Sequence, residues 1–196
     1  MTRLILVRHG STEWTDEGRL QGSIDIDLSP SGFAETRALA PAVEALSPGT
    51  VVCSPQARAV TTAATLGFHS PDVDPRWAEA GLGDWEGCLP GDLGDDYVQW
   101  RRGRTFPPGG EERDSVHTRV LSALEALSRA RQPVLVVTHG GVIRSVLDLV
   151  VGLDTGSLVA VSPASVTVVD LDSPRSGRLA LYNWTPHIAL PISSTR

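Results

Sequence analysis

The chain has little cysteine, no strongly basic stretch and no long apolar run. Its two cysteines among 196 residues are too few for the disulfide framework of a small secreted domain, and we assign them no chemistry. The formal charge of −6 and the lack of a Lys/Arg-rich run argue against a surface for nucleic acid or for an anionic membrane. An anionic substrate would therefore need a local positive pocket.

The apolar run nearest the start, at 4–7, is far shorter than a signal-peptide core or a membrane span. We therefore expect a cytoplasmic protein with no membrane partner. The chain length and the hydrophobic content of 41% suffice for one sizeable core, so we predict a single domain over residues 1–196. No heptad repeat is visible, which leaves a homodimer open.

Short runs rich in valine, leucine and isoleucine alternate with amphipathic segments. The runs predict buried strands at 3–7, 50–53, 134–138, 165–171 and 178–182. Ser29 followed by Pro30 predicts the start of one helix, Asp114 can cap a second, and a third is expected from about 141 to 151. This alternation predicts an α/β domain with a largely parallel β-sheet, helices on both faces, and an antiparallel edge hairpin made by the last two strands.

The segment 81–110 fits neither the helical nor the strand period. It is rich in Gly, Pro, Asp and Trp, and long irregular segments in a compact domain often act as lids over a site. The adjacent Arg101 and Arg102 stand in it. The pair suits either a solvated loop or a grip on a substrate carboxylate or second phosphate.

Two histidines directly follow predicted strands. Arg8 and His9 come directly after the first strand, and His139 comes directly after the strand at 134–138, just before a helix. The segment C-S-P-Q-A-R follows a third strand and carries Arg58. Because open α/β sheets bind ligands at the carboxyl ends of their strands, we expect these side chains to converge. The glycine after each histidine would let the backbone approach a ligand closely, and the next helix would present its first N–H groups to an anion.

Seven segments, in this order and spacing, resemble the histidine phosphatase superfamily, which includes the cofactor-dependent phosphoglycerate mutases. They are L-V-R-H-G-S-T-E-W at 6–14, G-R-L-Q-G at 18–22, D-L-S-P-S-G at 27–32, C-S-P-Q-A-R-A at 53–59, A-E-A-G-L-G-D-W-E-G at 78–87, P-G-G-E at 108–111 and V-T-H-G-G at 137–141. The resemblance covers nearly the whole chain and implies a phosphoglycerate mutase-like fold.

The resemblance also implies catalytic roles. His9 would be the nucleophile and must be uncharged to attack phosphorus, whereas Arg8, Arg58 and His139 would clamp the phosphoryl oxygens and disfavour protonation of His9. Glu79 would protonate the leaving group and then deprotonate the attacking water. A preorganised cationic pocket suits the loose transition state of phosphoryl transfer, so we expect no metal and no cofactor. The other three histidines show no metal-binding spacing.

Further loop residues are candidates for contact with the substrate, since hydroxyl, amide and backbone donors suit that role. These substrate-binding candidates are Thr12, Thr15, Gln21, Gly22 and Gly140. The chain departs from the family pattern at Thr15, where many members have Asn. We expect Glu86, in the same segment as Glu79, to be structural.

These observations predict a phosphomonoesterase that hydrolyses a small phosphorylated metabolite through a phosphohistidine intermediate. One alternative is a 2,3-bisphosphoglycerate-dependent phosphoglycerate mutase, and another is a phospho-ligand binding domain without catalysis. A mutase must protect its phosphohistidine from water, which favours a long ordered lid. Glu79 and His139 are only 60 positions apart, so hydrolysis is preferred. The sequence does not select one phosphate ester.

Overall fold

The structure, a computed structural model, describes residues 1–186, whose strands build one six-stranded sheet. The strands are β1 (Thr2–Arg8), β2 (Thr50–Cys53), β3 (Asp72–Val73), β4 (Val134–Thr138), β5 (Val166–Ser173) and β6 (Ser176–Trp184). Their order is β3-β2-β4-β1-β5-β6, in which the first four are parallel and β5 is antiparallel to both of its neighbours. The predicted parallel sheet with an antiparallel edge hairpin is confirmed. The two-residue strand β3 carries no apolar run, and the sequence did not reveal it.

Six α-helices lie among the described residues, and short helical turns join them. The helices are α1 (Glu13–Asp16), α2 (Pro30–Ala45), α3 (Ala57–Thr65), α4 (Asp95–Arg101), α5 (Arg113–Leu127) and α6 (Gly140–Val146), the last continued by a π-helical stretch at Leu147–Val151. Shorter 3-10 helices lie at Pro75–Trp77, Gly83–Trp85, Pro90–Leu93 and Thr155–Ser157. No helix within residues 1–186 is long and apolar enough to cross a membrane.

The helix starts follow from capping. Ser29 accepts a hydrogen bond from the Gly32 N–H at 3.2 Å, with Pro30 in the first position, as predicted. Helix α5 begins at Arg113 rather than after Asp114, so the predicted cap is wrong by two residues. Asp114 lies in the first turn, where a carboxylate is also favourable beside the helix N-terminus, so both positions give the same sequence signal.

Helices cover both faces of the sheet, because its central strands are apolar on both sides. In β1, Leu4 and Leu6 join a core cluster with α5 and α6, whereas Ile5 and Val7 join a second cluster with α2 and α3. Successive side chains of a strand point to opposite faces, so a continuous apolar run requires cover on each. The prediction of helices on both faces is confirmed.

The segment 81–110 is more ordered than the irregular lid predicted for it. It contains the 3-10 helices at Gly83–Trp85 and Pro90–Leu93, and then α4. Aromatic packing holds these turns together, since the Trp85 and Trp100 rings meet edge to face with centroids 6.0 Å apart. An isolated helix as short as α4 is marginal, so contacts of this kind, absent from the sequence pattern, decide its formation.

Candidate active site

The register of three parallel strands brings the two histidines together. Arg8 pairs with Thr138 at the ends of β1 and β4, and the residue directly after each strand is a histidine. The His9 N–H donates to the Thr138 carbonyl at 3.0 Å, and the centroids of the His9 and His139 rings lie 5.1 Å apart. Strand β2, on the other side of β4, ends beside them: the Ser54 N–H donates to the carbonyl of Val137 at 3.0 Å. The expected convergence at the carboxyl edge of the sheet is present.

The His9 ring is buried, with 3% of the residue exposed. Its Nδ1 lies 2.7 Å from the carbonyl oxygen of Gly10, which can only accept, so Nδ1 carries the proton and Nε2 the lone pair. Burial holds the pKa of His9 well below its ordinary value of 6.5, and the charges of Arg8 and Arg58 lower it further. The ring is therefore neutral, as a nucleophile must be.

The His139 ring is also neutral in this arrangement. The Nε–H of Arg58 donates to Nδ1 of His139 at 3.3 Å, so the ring proton is on Nε2, which donates to Ser54 Oγ at 2.7 Å. Burial holds the pKa of His139 well below 6.5, and the neighbouring His9 and Arg58 add to the effect. From the sequence, a positively charged His139 was expected. The structure instead makes it an acceptor for Arg58, and the charge of the pocket comes from the two arginines.

Those arginines are held by backbone carbonyls. Arg58 is fully buried and donates to the carbonyls of Gly22 and Ile24, each at 2.8 Å; burial lowers its pKa to about 10. Arg8 donates from Nη1 to the carbonyl of Val161, while its buried Nε has no hydrogen-bond partner among residues 1–186. A buried charged donor without a partner is unfavourable, and an anion oxygen would satisfy it.

The carboxylate of Glu79 reaches the N-terminus of α6 from another part of the chain. Its Oε2 accepts from the Gly141 N–H at 3.1 Å, and its Oε1 accepts from the Ala80 N–H at 3.0 Å. Glu79 also raises the pKa values of Arg8 and Arg58, against the effect of their burial. The acid candidate is thus electrostatically coupled to both arginines of the pocket.

The glycines beside the histidines serve packing more than ligand approach. A Cβ at Gly10 would lie 2.6 Å from the Gly32 carbonyl oxygen, so Gly10 lets α2 pass close to β1. A Cβ at Gly141 would lie 2.5 Å from Oε1 of Glu79, so Gly141 makes room for that carboxylate. Gly140 differs, since a Cβ there would make only ordinary contact, 3.7 Å from Cδ of Arg8.

The predicted substrate-binding residues mostly bond to one another. Thr12 caps α1, accepting from the Thr15 N–H at 3.2 Å, and its hydroxyl donates to Oε1 of Gln21 at 2.9 Å. Gly22 connects this loop to the pocket, because its carbonyl accepts from Arg58. The loop therefore supports Arg58, and direct contact between its side chains and substrate stays a prediction.

Several residues that contact the site were not predicted from the sequence. Ser54 accepts from His139, as described above, and Oγ1 of Thr62 accepts from the Gly10 N–H at 3.1 Å. Gln56 accepts from the Glu79 N–H at 2.9 Å through its Oε1. Ser54 and Gln56 stand in the segment after β2 that carries Arg58, so their position was an available signal.

A cavity of about 130 Å³ is lined by Ala80 and Gly141, whose N–H groups bind the Glu79 carboxylate. Arg101, Arg102 and Arg144 also line it. Burial lowers the pKa of Arg144 to about 10, with a further contribution from the charge of Arg101. Two carboxylates that also line the cavity are already paired, Asp148 with Arg113 and Glu111 with Arg119.

A neutral buried histidine beside two arginines and a carboxylate, at the carboxyl edge of an α/β sheet, defines the class of enzymes that transfer phosphoryl groups. The sequence model of the histidine phosphatase superfamily (branch 1) matches residues 4–185, and the chain belongs to this family. The family predicted from the seven sequence segments is confirmed.

Several relatives are named as phosphatases. The chain is 34% identical to the glucosyl-3-phosphoglycerate phosphatase of Mycolicibacterium vanbaalenii, over 77% of this chain and 75% of that protein. It is 31% identical to phosphoserine phosphatase 1 of Hydrogenobacter thermophilus, over 96% and 95%. A mycobacterial glucosyl-3-phosphoglycerate phosphatase solved in complex with VO3 matches with a TM-score of 0.84 at 29% identity, covering 94% of this chain and all of the other. The prediction of a phosphomonoester hydrolase is confirmed, and the mutase alternative is not favoured.

Proposed function

We propose that the chain hydrolyses its phosphomonoester in two steps through phosphorylated His9. The lone pair on Nε2 of His9 attacks phosphorus, the bond to the ester oxygen breaks, and protonated Glu79 gives its proton to that oxygen. Glu79, now a carboxylate, takes a proton from water, whose oxygen attacks phosphorus and breaks the bond to nitrogen. Inorganic phosphate leaves, and His9 and Glu79 return to their starting forms.

Arg8 and Arg58 would bind the phosphoryl oxygens in both steps. Each is a planar cation able to donate two parallel hydrogen bonds, and the charge spread over the equatorial oxygens in the transition state suits such donors. The buried Nε of Arg8 without a partner among residues 1–186 supports this role. His139 would keep Arg58 oriented through the Nε to Nδ1 hydrogen bond.

The observation that carries the proposal is the state of His9. A ring that is buried, bonded through Nδ1 to the Gly10 carbonyl and flanked by Arg8 and Arg58 must present an uncharged Nε2. A histidine serving structure alone would not need two cations beside it. The same groups that would bind the phosphate also keep the nucleophile unprotonated.

Trapping the phosphorylated enzyme tests the proposal. The protein is mixed briefly with a phosphate ester labelled at phosphorus and quenched either in acid or in alkali. Because the phosphorus–nitrogen bond of phosphohistidine breaks in acid, we expect label that survives alkali and is lost in acid. The variant His9→Ala should take up no label.

Two results would overturn the proposal. Acid-stable label would indicate phosphorylation of another side chain type, and turnover by His9→Ala would show that the reaction does not pass through this ring. Binding of phosphate with no label and no turnover would instead support a domain without catalysis.

We further infer that the substrate carries a carboxylate near its phosphate ester. Arg101, Arg102 and Arg144 line the same cavity as Ala80 and Gly141, whose N–H groups bind the Glu79 carboxylate. The leaving group would sit in this cavity, within reach of the arginines. The relatives named above bear the names of glucosyl-3-phosphoglycerate and phosphoserine, both of which contain a carboxylate. A carboxylate would meet the arginines of the cavity while the phosphate meets Arg8 and Arg58.

Matched substrates test this inference. Phosphoserine is compared with phosphoethanolamine, which lacks the carboxylate, and 3-phosphoglycerate with glycerol 3-phosphate. Hydrogen bonds to charged groups are worth about 1.5 to 3 kcal/mol, so we expect kcat/KM to favour the carboxylate member by about tenfold or more. Arg101→Gln should reduce that preference, whereas Arg104→Gln, at an exposed arginine bonded to Gln99, should not. Equal kcat/KM values within each pair would contradict it.

A further inference from the structure

The peptide unit between Ala78 and Glu79 is held at both ends by side chains from other parts of the fold. Nη1 of Arg119, in α5, donates to the Ala78 carbonyl at 2.7 Å. Oε1 of Gln56, just before α3, accepts from the Glu79 N–H at 2.9 Å. Because the peptide bond is planar, fixing its oxygen and its N–H fixes the orientation of the whole unit.

This arrangement takes the place of regular structure. The 3-10 helix Pro75–Trp77 ends before Glu79, and no helix or strand covers 78–82. No ladder of backbone hydrogen bonds therefore sets the direction of the Glu79 side chain. The backbone of the proposed acid depends on side chains for its position, unlike that of His9, which directly follows a strand.

Arg119 is itself fixed. Its Nε and Nη2 make a two-pronged ion pair with the Glu111 carboxylate, at 2.8 and 2.9 Å, and its Nη1 also donates to the carbonyl of Arg76 at 2.8 Å. The backbone of Glu111 is bound to the same segment, because its N–H donates to the carbonyl of Gly81 at 2.8 Å. Two-pronged pairs of this kind are geometrically specific, so Glu111 determines where the guanidinium points.

Gln56 connects the acid to the phosphate pocket. Its Nε2 donates to the carbonyl of Gly22 at 3.3 Å, and that same carbonyl accepts from Nη2 of Arg58 at 2.8 Å. Gln56 is buried, with 9% exposed. Arg58 keeps its own shorter bonds to Gly22 and Ile24, each at 2.8 Å, so loss of the Gln56 amide should leave that arginine in place.

We propose that Gln56 and Arg119, the latter held by Glu111, are positioning residues that aim the Glu79 carboxylate at the leaving group. The proposal rests on the proposed role of Glu79 as the acid. Neither residue is described in a hydrogen bond with His9, so both should act on protonation of the leaving group and leave nucleophilic attack intact. Hydrolysis of alkyl esters, whose poor leaving groups need the proton, depends on them; hydrolysis of activated aryl esters does not.

The test compares kcat/KM for an alkyl and an aryl phosphate in Gln56→Met and Arg119→Lys. Arg119→Lys retains the positive charge, which also acts on His139, but loses the fork that spans Glu111 and Ala78. A misplacement of about 1 Å can cost about 100-fold, so we expect the alkyl value to fall about 10- to 100-fold. The aryl value should fall less than about threefold, because general acid catalysis matters little for a good leaving group.

Arg3→Lys is the matched control, because Arg3 makes an equally short two-pronged pair with Asp170 on the sheet, at 2.8 and 2.9 Å. It should leave the alkyl to aryl ratio unchanged. A second control is the double variant Gln56→Met with Glu79→Gln. If Gln56 acts only through Glu79, the double variant should hydrolyse the alkyl ester no more slowly than Glu79→Gln alone.

The outcomes separate this proposal from the function it rests on. If Glu79→Gln lowers kcat/KM equally for the alkyl and the aryl ester, the proposed role of Glu79 as the acid is wrong. If Glu79→Gln selectively lowers kcat/KM for the alkyl ester, the acid role stands. If Gln56→Met and Arg119→Lys then lower kcat/KM for both esters equally or for neither, the proposal that these residues position Glu79 is wrong. Further loss in the double variant would also overturn positioning.

Discussion

The proposed nucleophile, His9, and the proposed acid, Glu79, are positioned in different ways. His9 and His139 directly follow neighbouring parallel strands, and the pairing of Arg8 with Thr138 sets them side by side. Glu79 lies in a segment without helix or strand, and side chains from α5 and from the loop before α3 hold its backbone. The proposed nucleophile is therefore placed by the sheet, whereas the backbone of the proposed acid is placed by side-chain contacts.

This difference separates two kinds of vulnerability. A strand end is supported by a ladder of backbone hydrogen bonds and by two core clusters, so a single side-chain change near it is absorbed. A loop held by a few side chains lacks this support, so loss of one contact can move it. Substitutions around Glu79 should therefore change which esters are hydrolysed, and substitutions of the histidine nucleophile should stop hydrolysis of all of them.

The largest effect is expected for His9→Ala. Without the nucleophile both the alkyl and the aryl ester should lose turnover by about 10⁴-fold or more, because the covalent route is gone. His69→Ala, at an exposed histidine, is the matched control and should keep full activity. Steady-state rates with the two esters measure this. Residual turnover of the aryl ester close to that of the unaltered protein would remove the histidine from the mechanism.

A smaller and selective effect is expected for Glu79→Gln. General acid catalysis contributes about 10²- to 10⁴-fold, so kcat/KM for the alkyl ester should fall within that range and that for the aryl ester much less. Deprotonation of water is also lost, so phosphorylated enzyme should accumulate with the aryl ester. Rapid mixing with an alkaline quench measures it. Equal losses of kcat/KM for both esters would show that Glu79 is not the general acid.

The pH dependence of the free energy of unfolding tests whether the two histidines at the strand ends are neutral. The pKa values of His9 and His139 in the folded protein lie well below the ordinary 6.5, because both rings are buried beside cations. The unfolded chain therefore takes up protons below pH 6.5 that the folded protein excludes, and the free energy of unfolding should be constant above that pH and fall below it.

Denaturant titrations on either side of pH 6.5 check this expectation. The variant His139→Asn should show a shallower decline, because one of the two buried rings is gone. A free energy of unfolding that rose as the pH fell would mean that these rings are protonated in the folded state, and would contradict the neutral nucleophile.

The smallest effect is expected for Glu86→Gln. Oε1 of Glu86 accepts from the Ser23 N–H and Oγ, each at 2.7 Å, and from the Leu82 N–H at 3.0 Å, as expected for the structural role predicted from sequence. Weakening these bonds should lower the free energy of unfolding by about 1 to 2 kcal/mol, with the alkyl to aryl ratio unchanged. Thermal unfolding and the two-ester assay measure it. A selective loss of alkyl turnover would assign Glu86 to the acid step.

The sequence predicted the residues at the strand ends better than the surroundings of Glu79, for a physical reason. Apolar runs followed by histidine encode both the strand and the placement of the side chain after it, so Arg8, His9 and His139 could be located from local pattern. The two-residue strand β3 and the helix α4 were not recognised, because tertiary contacts rather than local pattern form them.

The segment that carries Glu79 has no local sequence pattern of this kind. Glu79 was found through the family resemblance, since its segment follows no period. Arg119 could not be found, because its partner is a backbone carbonyl 41 positions away and any residue type supplies a carbonyl. The neutral state of His139 was also missed, since it depends on Arg58 donating to its ring.

The most direct test of the double displacement is the stereochemistry at phosphorus. A phosphate ester made chiral with oxygen isotopes is turned over in the presence of an alcohol acceptor, and the configuration of the transferred group is determined. Each in-line displacement inverts phosphorus, so transfer through His9 predicts overall retention. Overall inversion would mean that the acceptor attacks the substrate directly, and the phosphohistidine mechanism would be wrong.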